Sequence, residues 1–309
     1  MPLSRMAEDI RDRPRLGHED IVQLNFIRTR VPFLFRRHYR TGLRSHIMEV
    51  LKPDDVIEQD HGVIISGVRW FPKAEPLKML RIFRTRFKDL HAAQEELNRV
   101  RTVDRYLGPE HVARSEEFLV DYGCGPSREI LLCGLQEYVA GEIIDPWSRL
   151  DAEYLKALMG RLTVDMEFPL KCGVEKWLTR VQRMAQTFLR RTRCMIQQKG
   201  LIPDLAGVGN LIMTAWGNMK VVDINNISEI SAESSIPLDD KGYPVCDKSV
   251  QALAGVQERL AGEPVSNTDE LYSIFLEPGR MKCVEAMVRA FHMKTRLQTA
   301  ASSYPHERM

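Results

Sequence analysis

The stretch from Leu201 to Ile227 reads LIPDLAGVGNLIMTAWGNMKVVDINNI and concentrates the polar residues that point to a site. Asp204 lies in a short loop, and Asn210 follows six residues later. Two hydrophobic strands joined by a Trp-Gly-Asn turn come next, and the second ends at Asp223, thirteen residues after Asn210. One carboxylate near an acceptor hydroxyl, with an amide and a second carboxylate converging on a metal ion, is what a magnesium-nucleotide site needs.

This order of residues resembles the catalytic loop and the metal loop of the protein-kinase-like superfamily. The resemblance implies that Asp204 orients or deprotonates an acceptor hydroxyl, and that Asn210 and Asp223 hold Mg²⁺ beside ATP. Two positions depart from the family pattern: Ile202-Pro203 replaces His-Arg, and Asn225 replaces the metal-loop glycine. Turn formation is the alternative role for this stretch, because Asp, Asn and Gly all favour turns.

A long helix is predicted immediately before this loop, over Val174 to Lys199. Its apolar residues recur at three-, four- and seven-residue intervals, which is typical of a helix with one buried face. Gly200 is predicted to end the helix because glycine accepts the left-handed conformation. The apolar positions are Trp177, Val181, Met184, Phe188 and Met195.

The segment from Arg128 to Gly141, REILLCGLQEYVAG, is predicted to be a buried strand that ends in a turn. Its end resembles the hinge between the two lobes of the superfamily. The resemblance implies that the backbone of Glu137, Tyr138 and Val139 contacts the adenine of ATP, while Gly141 lets the chain turn away. A plain strand and turn is the alternative.

The resemblance also implies a phosphate-contacting cation on a strand and a glutamate on the following helix. The strand is predicted over Pro76 to Arg84, where Lys78 and Arg81 compete for the role, and Lys78 is favoured on chemistry. The two residues are three apart, so they point to opposite faces of a strand. The helix is predicted over Asp89 to Leu107, where spacing favours Glu96 over the adjacent Glu95 as the partner of the cation.

The clearest departure from the superfamily is the absence of a phosphate-binding glycine loop. Asp55 to Trp70 is the candidate for the first hairpin, but it offers only Gly62 and Gly67, with no G-x-G-x-x-G series. Further along, Asp247 has two open roles: a structural aspartate near the start of a helix, or the N-cap of a helix from Lys248 to Leu260.

An arginine-rich segment lies near the N-terminus, between Ile27 and His46. It contains aromatic residues and no acidic residue, so a contact with RNA or an anionic membrane surface is one reading. The favoured reading is structural, with the arginines paired to acidic residues elsewhere in the chain. The six arginines are Arg28, Arg30, Arg36, Arg37, Arg40 and Arg44.

Composition indicates a globular protein, since 44% of the 309 residues are hydrophobic and 28% are charged. The net charge of +2 implies no strong demand for an acidic partner. The sequence shows no membrane-spanning run and no signal-peptide core, so a cytoplasmic location is expected. The six cysteines follow no metal-binding spacing and are expected to be free thiols.

The sequence therefore predicts an α+β, two-lobed protein-kinase-like fold with a small, mostly antiparallel N-lobe and a shortened, mainly helical C-lobe. Residues 1–46 are assigned to an arginine-rich extension, 47–136 to the N-lobe, and 137–309 to the hinge and C-lobe. The implied function is ATP-dependent, magnesium-assisted phosphoryl transfer to a hydroxyl of a protein or small molecule, with the nucleotide bound between the lobes. The alternative is a pseudokinase that senses nucleotide or acts as a scaffold. An RNA- or membrane-binding protein led by the arginine-rich segment is a third class.

Overall fold

The computed structural model describes residues 9–24, 32–39, 44–124, 127–163, 173–224, 226–231, 233 and 235–302. The predicted α+β class is confirmed in these residues, with a mostly antiparallel sheet and eight helices. The helices are α1 (His18–Val22), α2 (Pro53–His61), α3 (Leu90–Leu107), α4 (Ala152–Leu162), α5 (Val174–Lys199), α6 (Val245–Arg259), α7 (Glu270–Phe275) and α8 (Pro278–Ser302). The strands are β1 (Leu34–Arg37), β2 (Ser45–Leu51), β3 (Val63–Ile65), β4 (Val68–Trp70), β5 (Lys78–Phe83), β6 (Ser115–Cys124), β7 (Ser127–Glu137), β8 (Glu142–Ile143), β9 (Leu201–Pro203), β10 (Leu211–Met213), β11 (Met219–Val221) and β12 (Ile227–Glu229).

The chain divides into two compact units. The first unit comprises residues 1–99 and 113–138, and the second comprises 100–112 and 139–309. Helix α3 contributes its N-terminal part to the first unit and its C-terminal part to the second.

The first unit is built on a five-stranded antiparallel sheet in the order β1-β2-β5-β7-β6. Side chains alternate between its two faces, so each strand contributes one apolar row. That apolar face includes Met48, Leu80 and Leu131, and residues 10–24 cover it with Ile10, Leu16, Ile21 and Leu24. The opposite face carries a smaller apolar cluster in which Phe83 and Leu132 meet Leu97 of α3.

Residues 9–24, 32–39 and 44–46 belong to this unit, whereas the sequence had suggested an extension over 1–46. The predicted boundary falls inside β2, because β1 and β2 pair through Leu34 to Leu51 in the same sheet. Arg11 is 1% exposed and forms ion pairs with Asp9 and Glu129 of β7. Apolar burial and these ion pairs fix the N-terminal segment on the sheet.

Asp55 to Trp70, the candidate for the first hairpin, forms a hairpin only in its second half. Its first half is helix α2, and its second half is the hairpin β3–β4, which forms a separate two-stranded sheet. Gly62 has φ of 74° at the end of α2, and Gly67 has φ of 80° in the hairpin turn. Both glycines therefore serve local chain reversals.

The second unit is mainly helical, with two small antiparallel sheets in the orders β11-β10-β8 and β12-β9. The predicted helix from Val174 to Lys199 is confirmed as α5, and Gly200 ends it in the left-handed conformation with φ 64° and ψ 24°. Trp177 and Phe188 of α5 are buried in the core of this unit, together with Val250 of α6. The apolar stripe of α5 is thus the surface on which the second unit is assembled.

None of the helices in the described residues has an apolar stretch long enough to cross a membrane. Four cysteines are free thiols: Cys133 and Cys246 are buried, Cys194 is half-buried and Cys283 is exposed. Cys124 and Cys172 lie outside the residues whose side chains are described.

Candidate functional site

The loop from Asp204 to Asn210 joins two strands of the second unit. Strand β9 leads into Asp204, and β12 pairs with β9 so that Ile227 faces Pro203. The Asp204 amide continues this pairing by donating to the Asn226 carbonyl at 2.9 Å. The loop is thereby fixed at its first residue.

The Asp204 carboxylate is buried and accepts several hydrogen bonds. Its Oδ1 accepts from the backbone N–H groups of Ala206 and Gly207, each at 2.9 Å. Its Oδ2 accepts from the Asn226 side chain at 3.3 Å. Since Oδ1 already has two short bonds and Oδ2 has one long bond, Oδ2 is the oxygen with capacity for a further proton or ligand.

The Asn210 side chain is part of the same loop. Its Nδ2 donates to the Asp204 carbonyl at 2.9 Å, and its backbone N–H donates to the Gly207 carbonyl at 3.0 Å. A Cβ at Gly207 would come within 2.4 Å of Asn210 Nδ2, so this close contact requires glycine. Within the described residues, Asn210 Oδ1 has no hydrogen-bond partner and so remains available as an acceptor.

Asp223 is brought to this loop by the chain that follows β11. The Val222 amide donates to the Asn210 carbonyl at 2.9 Å, which places Asp223 next to the loop. Burial and then the charge of Asp223 raise the pKa of Asp204 to about 6. The structure thus brings together the three residues that the sequence selected, Asp204, Asn210 and Asp223. Asn225, at the position of the metal-loop glycine, lies outside the described residues.

Two further residues belong to this cluster and were missed from the sequence. The side chain of Asn226 donates a hydrogen bond to Asp204. Tyr243 lies close enough for the charge of Asp204 to affect the pKa of its hydroxyl. Burial, followed by the charges of Asp204 and Asp239, raises the pKa of Tyr243 to about 12. Asn226 could have been noticed because it continues the polar Asp-Ile-Asn-Asn run, whereas Tyr243 carried no signal.

The donor set of the cluster fits a hard divalent cation. Carboxylate and amide oxygens are the ligands that Mg²⁺ accepts, and Mg²⁺ commonly uses only one or two carboxylates together with water and phosphate oxygens. No group of three or more His, Cys, Asp or Glu side chains in the described ranges could hold a metal ion alone. A cation held by Asp223 and Asn210 would need further oxygen ligands, such as backbone carbonyls, water or phosphate.

In the first unit, the structure separates the two candidate cations. Lys78 is exposed and shares a face of β5 with Leu80 and Ile82, whose side chains are buried in the apolar cluster with α1. Arg81 is 3% exposed and lies on the opposite face, with Phe83, whose ring centroid is 5.9 Å from the guanidinium carbon. Arg81 therefore occupies the sheet face that packs against α3, and Lys78, the favoured candidate, lies on the other face with Leu80 and Ile82.

Neither candidate glutamate makes the predicted contact with Lys78. Among the described residues Lys78 forms no ion pair, and Glu95 is exposed and paired with His91 at 3.7 Å. Glu96 is largely buried, and this burial raises its pKa against the opposing charges of Arg99 and Arg44. The positive charges that act on Glu96 are thus those of Arg99 and Arg44.

The sheet face that carries Arg81 also holds other polar side chains. Arg81 is opposite Gly134, which is opposite Glu117. One pair further along, Gln136 is opposite Ser115. Gln136 is 4% exposed, and neither its Nε2 nor the Ser115 Oγ has a hydrogen-bond partner within the described residues. Beside the apolar cluster of Phe83 and Leu132, this face therefore has a polar part with unused hydrogen-bonding capacity, which was not predicted from the sequence.

The predicted hinge lies where the chain passes from the first unit to the second. Strand β7 ends at Glu137, and the division falls between Tyr138 and Val139. Gly141 is required by a close backbone approach, since a Cβ there would come within 2.3 Å of the Met213 carbonyl oxygen in β10. Gly141 thus permits the pairing of β8 with β10.

Asp247 is resolved in favour of a structural role. It is fully buried in the first turn of α6, whose N-cap is Pro244, so it is not the cap. Its carboxylate accepts from Arg280 of α8, with Nε–Oδ1 at 2.5 Å and Nη2–Oδ2 at 3.1 Å. Arg280 also donates to the Glu233 carbonyl at 2.8 Å. This bidentate ion pair joins α6 to α8.

The arginine-rich segment is described in part. Arg36 on β1 donates to Glu49 on β2 at 2.7 Å, which agrees with the structural reading for this residue. Glu49 also contacts His38 at 2.8 Å, and these hydrogen bonds oppose the effect of burial and keep the pKa of Glu49 below its usual value. Arg28, Arg30 and Arg40 lie outside the described residues.

Compared with protein-family models and with curated proteins, the chain gives no match. The case for a function therefore depends on the residues themselves.

Proposed function

We propose that this chain is an ATP-dependent phosphotransferase of the protein-kinase-like superfamily. The observation that carries the proposal is the convergence of Asp204, Asn210 and Asp223 in one buried loop cluster, with the pKa of Asp204 raised to about 6. A carboxylate whose pKa lies near neutral can accept a proton during the reaction and release it afterwards.

The order of the elements also supports this assignment. The strand that carries the buried cation Arg81 precedes helix α3, and β6 and β7 lead to Glu137 and Tyr138 at the division between the units. Asp204 and the polar loop follow the long helix α5 in the mainly helical unit. This is the order in which the resemblance assigns cation, glutamate, adenine contact and catalytic loop.

In the proposed mechanism Asp204 Oδ2 accepts the proton of an acceptor hydroxyl. The Ala206 and Gly207 amides hold the carboxylate through Oδ1, and Asn226 orients Oδ2. Asp223 and Asn210 Oδ1 would hold Mg²⁺, which when bound with ATP supplies charge neutralisation for the transferred phosphoryl group. Most of the catalytic effect then comes from positioning.

A second candidate function is nucleotide binding without phosphoryl transfer, as in a pseudokinase. It is favoured by one observation: the residue on the α3-facing side of β5 is Arg81 and not a lysine. Arginine is planar and forms a fixed fork of donors, so it does not replace a lysine at a packed site without changing the contacts.

ATP turnover with water as acceptor tests the proposal, because it needs no knowledge of the natural acceptor. Wild-type protein is expected to release ADP with a rate that rises as pH increases through about 6, where Asp204 ionises. Asp204→Asn is expected to lower the rate by about 10²-fold or more while leaving ATP affinity unchanged. Asp240→Asn, a change at an exposed carboxylate, is the control.

The possible results separate the two functions. Turnover that is equal in wild type and Asp204→Asn would contradict the proposed role of Asp204. Tight ATP binding with no turnover above the Asp204→Asn background would favour the pseudokinase. Absence of ATP binding would refute both.

A further inference from the structure

The β3–β4 hairpin of the first unit displays a group of large apolar side chains to solvent. It is a two-stranded sheet inserted between β2 and β5, and it pairs with no other strand in the described residues. Single exposed apolar residues are common on protein surfaces, whereas a contiguous group marks an interaction site. The side chains are Ile64 at 71% exposure, Ile65 at 58%, Val68 at 67%, Trp70 at 60% and Phe71 at 57%.

The hairpin is held in a defined conformation despite this exposure. Its two-residue turn places Ser66 at φ 52° and Gly67 at φ 80°, the left-handed pair that matches the twist of a hairpin. At the other end, Arg69 Nη1 donates to the His61 carbonyl at 3.2 Å, which fastens the hairpin to the end of α2. The apolar tip is therefore presented on a fixed base.

One face of the hairpin is apolar along its length, and the other carries one apolar side chain near the tip. Opposite residues are Val63 with Trp70, Ile64 with Arg69, and Ile65 with Val68. Because side chains alternate along a strand, one face carries Val63, Ile65, Val68 and Trp70, and the other carries Ile64 with Arg69 opposite it. A protein groove that covered the first face would leave Ile64 in water, whereas a lipid surface surrounds the tip on every side and offers headgroups to Arg69.

The dimensions also favour a lipid surface over a protein partner. Strands of three residues are about 10 Å long, which matches the depth of about 5–10 Å to which peripheral segments enter the headgroup–acyl boundary. A stable protein interface needs about 20–30 residues from each side. At this shallow depth the open strand edges keep access to water and headgroups, and Trp70 lies at the base of the hairpin, where aromatic residues favour the interface.

Charge on the hairpin agrees with this reading. From Gly62 to Ala74 the charged residues are Arg69 and Lys73, and the exposed Glu75 follows them. Basic residues next to an apolar segment strengthen binding to anionic headgroups. The four carboxylates of α2 all precede Gly62, at the base end of the hairpin.

We propose that the β3–β4 hairpin docks this chain on the surface of a lipid bilayer. Ile64, Ile65 and Val68 enter the headgroup–acyl boundary, Trp70 lies at the interface, and Arg69 and Lys73 contact headgroup phosphates. This inference does not rest on the proposed phosphotransferase function.

Vesicle flotation of the full chain tests the proposal, with vesicles of phosphatidylcholine and phosphatidylglycerol at a 3:1 ratio. The wild type is expected to float with the vesicles, and the double variant Ile65→Glu/Val68→Glu is expected to bind at least about ten-fold more weakly because it places charge at the inserted tip. Met293→Glu, at an apolar position 64% exposed on α8 of the second unit, is the matched control and should bind as the wild type does.

Circular dichroism establishes that the variants are folded, and the substituted side chains are exposed, so loss of binding reports on the surface. The proposal is overturned if the wild type remains with the unbound fraction, or if the double variant floats as well as the wild type. It is also overturned if the wild type is a dimer by light scattering and the double variant a monomer, because a second copy then covers the hairpin.

Discussion

Removing one partner of the ion pair between Asp247 and Arg280 should strongly destabilise the second unit. Asp247 is fully buried and the Arg280 side chain is 9% exposed. Replacing Arg280 by Met keeps much of the apolar contact with Phe275, over whose ring the guanidinium lies at 4.7 Å, but leaves a buried carboxylate without its counter-charge. Breaking a buried pair in this way costs about 3–5 kcal/mol of unfolding free energy.

A matched control lies on the same helix. Arg289 pairs with Glu285 at 3.9 Å, and the two side chains are 65% and 59% exposed. Arg289→Met should therefore change stability by less than about 0.5 kcal/mol. The contrast between the two arginines isolates burial from the loss of a positive charge on α8.

The assay is urea unfolding followed by tryptophan fluorescence in a Trp70→Phe background. The chain has four tryptophans, and the remaining three, Trp147, Trp177 and Trp216, belong to the second unit, so the signal reports on that unit. Arg280→Met should lower the midpoint strongly, and Asp247→Asn/Arg280→Met should recover part of the loss because no buried charge remains. Equal, small effects of Arg280→Met and Arg289→Met would refute the reasoning.

Three further predictions concern stability. Burial and the charge of Arg84 lower the pKa of His46 to about 4, so the folded protein holds this imidazole in its neutral form. The free energy of unfolding should therefore fall by about 2 kcal/mol between pH 7 and pH 5, because the unfolded chain binds a proton at His46 in this range. Urea unfolding of His46→Gln should show no such loss. Gly141→Ala should lower the free energy of unfolding by about 1–3 kcal/mol, because the new Cβ would overlap with the β10 backbone. Gly160→Ala, at an open helical position, should raise it by about 0.5–1 kcal/mol. Thermal unfolding measures both changes. Burial holds the pKa of Asp204 near 6, so its charge opposes folding above that pH; Asp204→Asn should stabilise by up to about 3 kcal/mol at pH 7.5 and little at pH 4.5.

Opposite outcomes identify the error in each case. A pH slope that persists in His46→Gln would assign the slope to other groups. If Gly141→Ala leaves the thermal stability unchanged, β8 and β10 are not as close as described. Destabilisation by Asp204→Asn at pH 7.5 would mean that the carboxylate is structural.

Local rules were enough to predict several elements. The apolar stripe and Gly200 gave both ends of α5, because a buried helical face and a left-handed terminus leave direct marks in the sequence. The loop cluster of Asp204, Asn210 and Asp223 was also predicted, since its residues are close along the chain and their spacing reflects the pairing of short strands.

The errors concern features that depend on distant contacts. The choice between Lys78 and Arg81 turned on which face of β5 meets the N-terminal segment, and that contact joins residues about sixty positions apart. The separation of the β3–β4 hairpin from the five-stranded sheet was not predicted, because the alternation of side chains does not identify a strand's partner. Asp247 was ambiguous because its partner, Arg280, lies on a different helix.

Calorimetric titration with ATP, with and without Mg²⁺, tests the central claim most directly. The account predicts that wild-type protein binds ATP in a magnesium-dependent manner, that Asp223→Ala loses this dependence and most of the affinity, and that Asp240→Ala binds as the wild type does. No ATP binding by the wild type, or equal binding by wild type and Asp223→Ala in the presence of Mg²⁺, would contradict it.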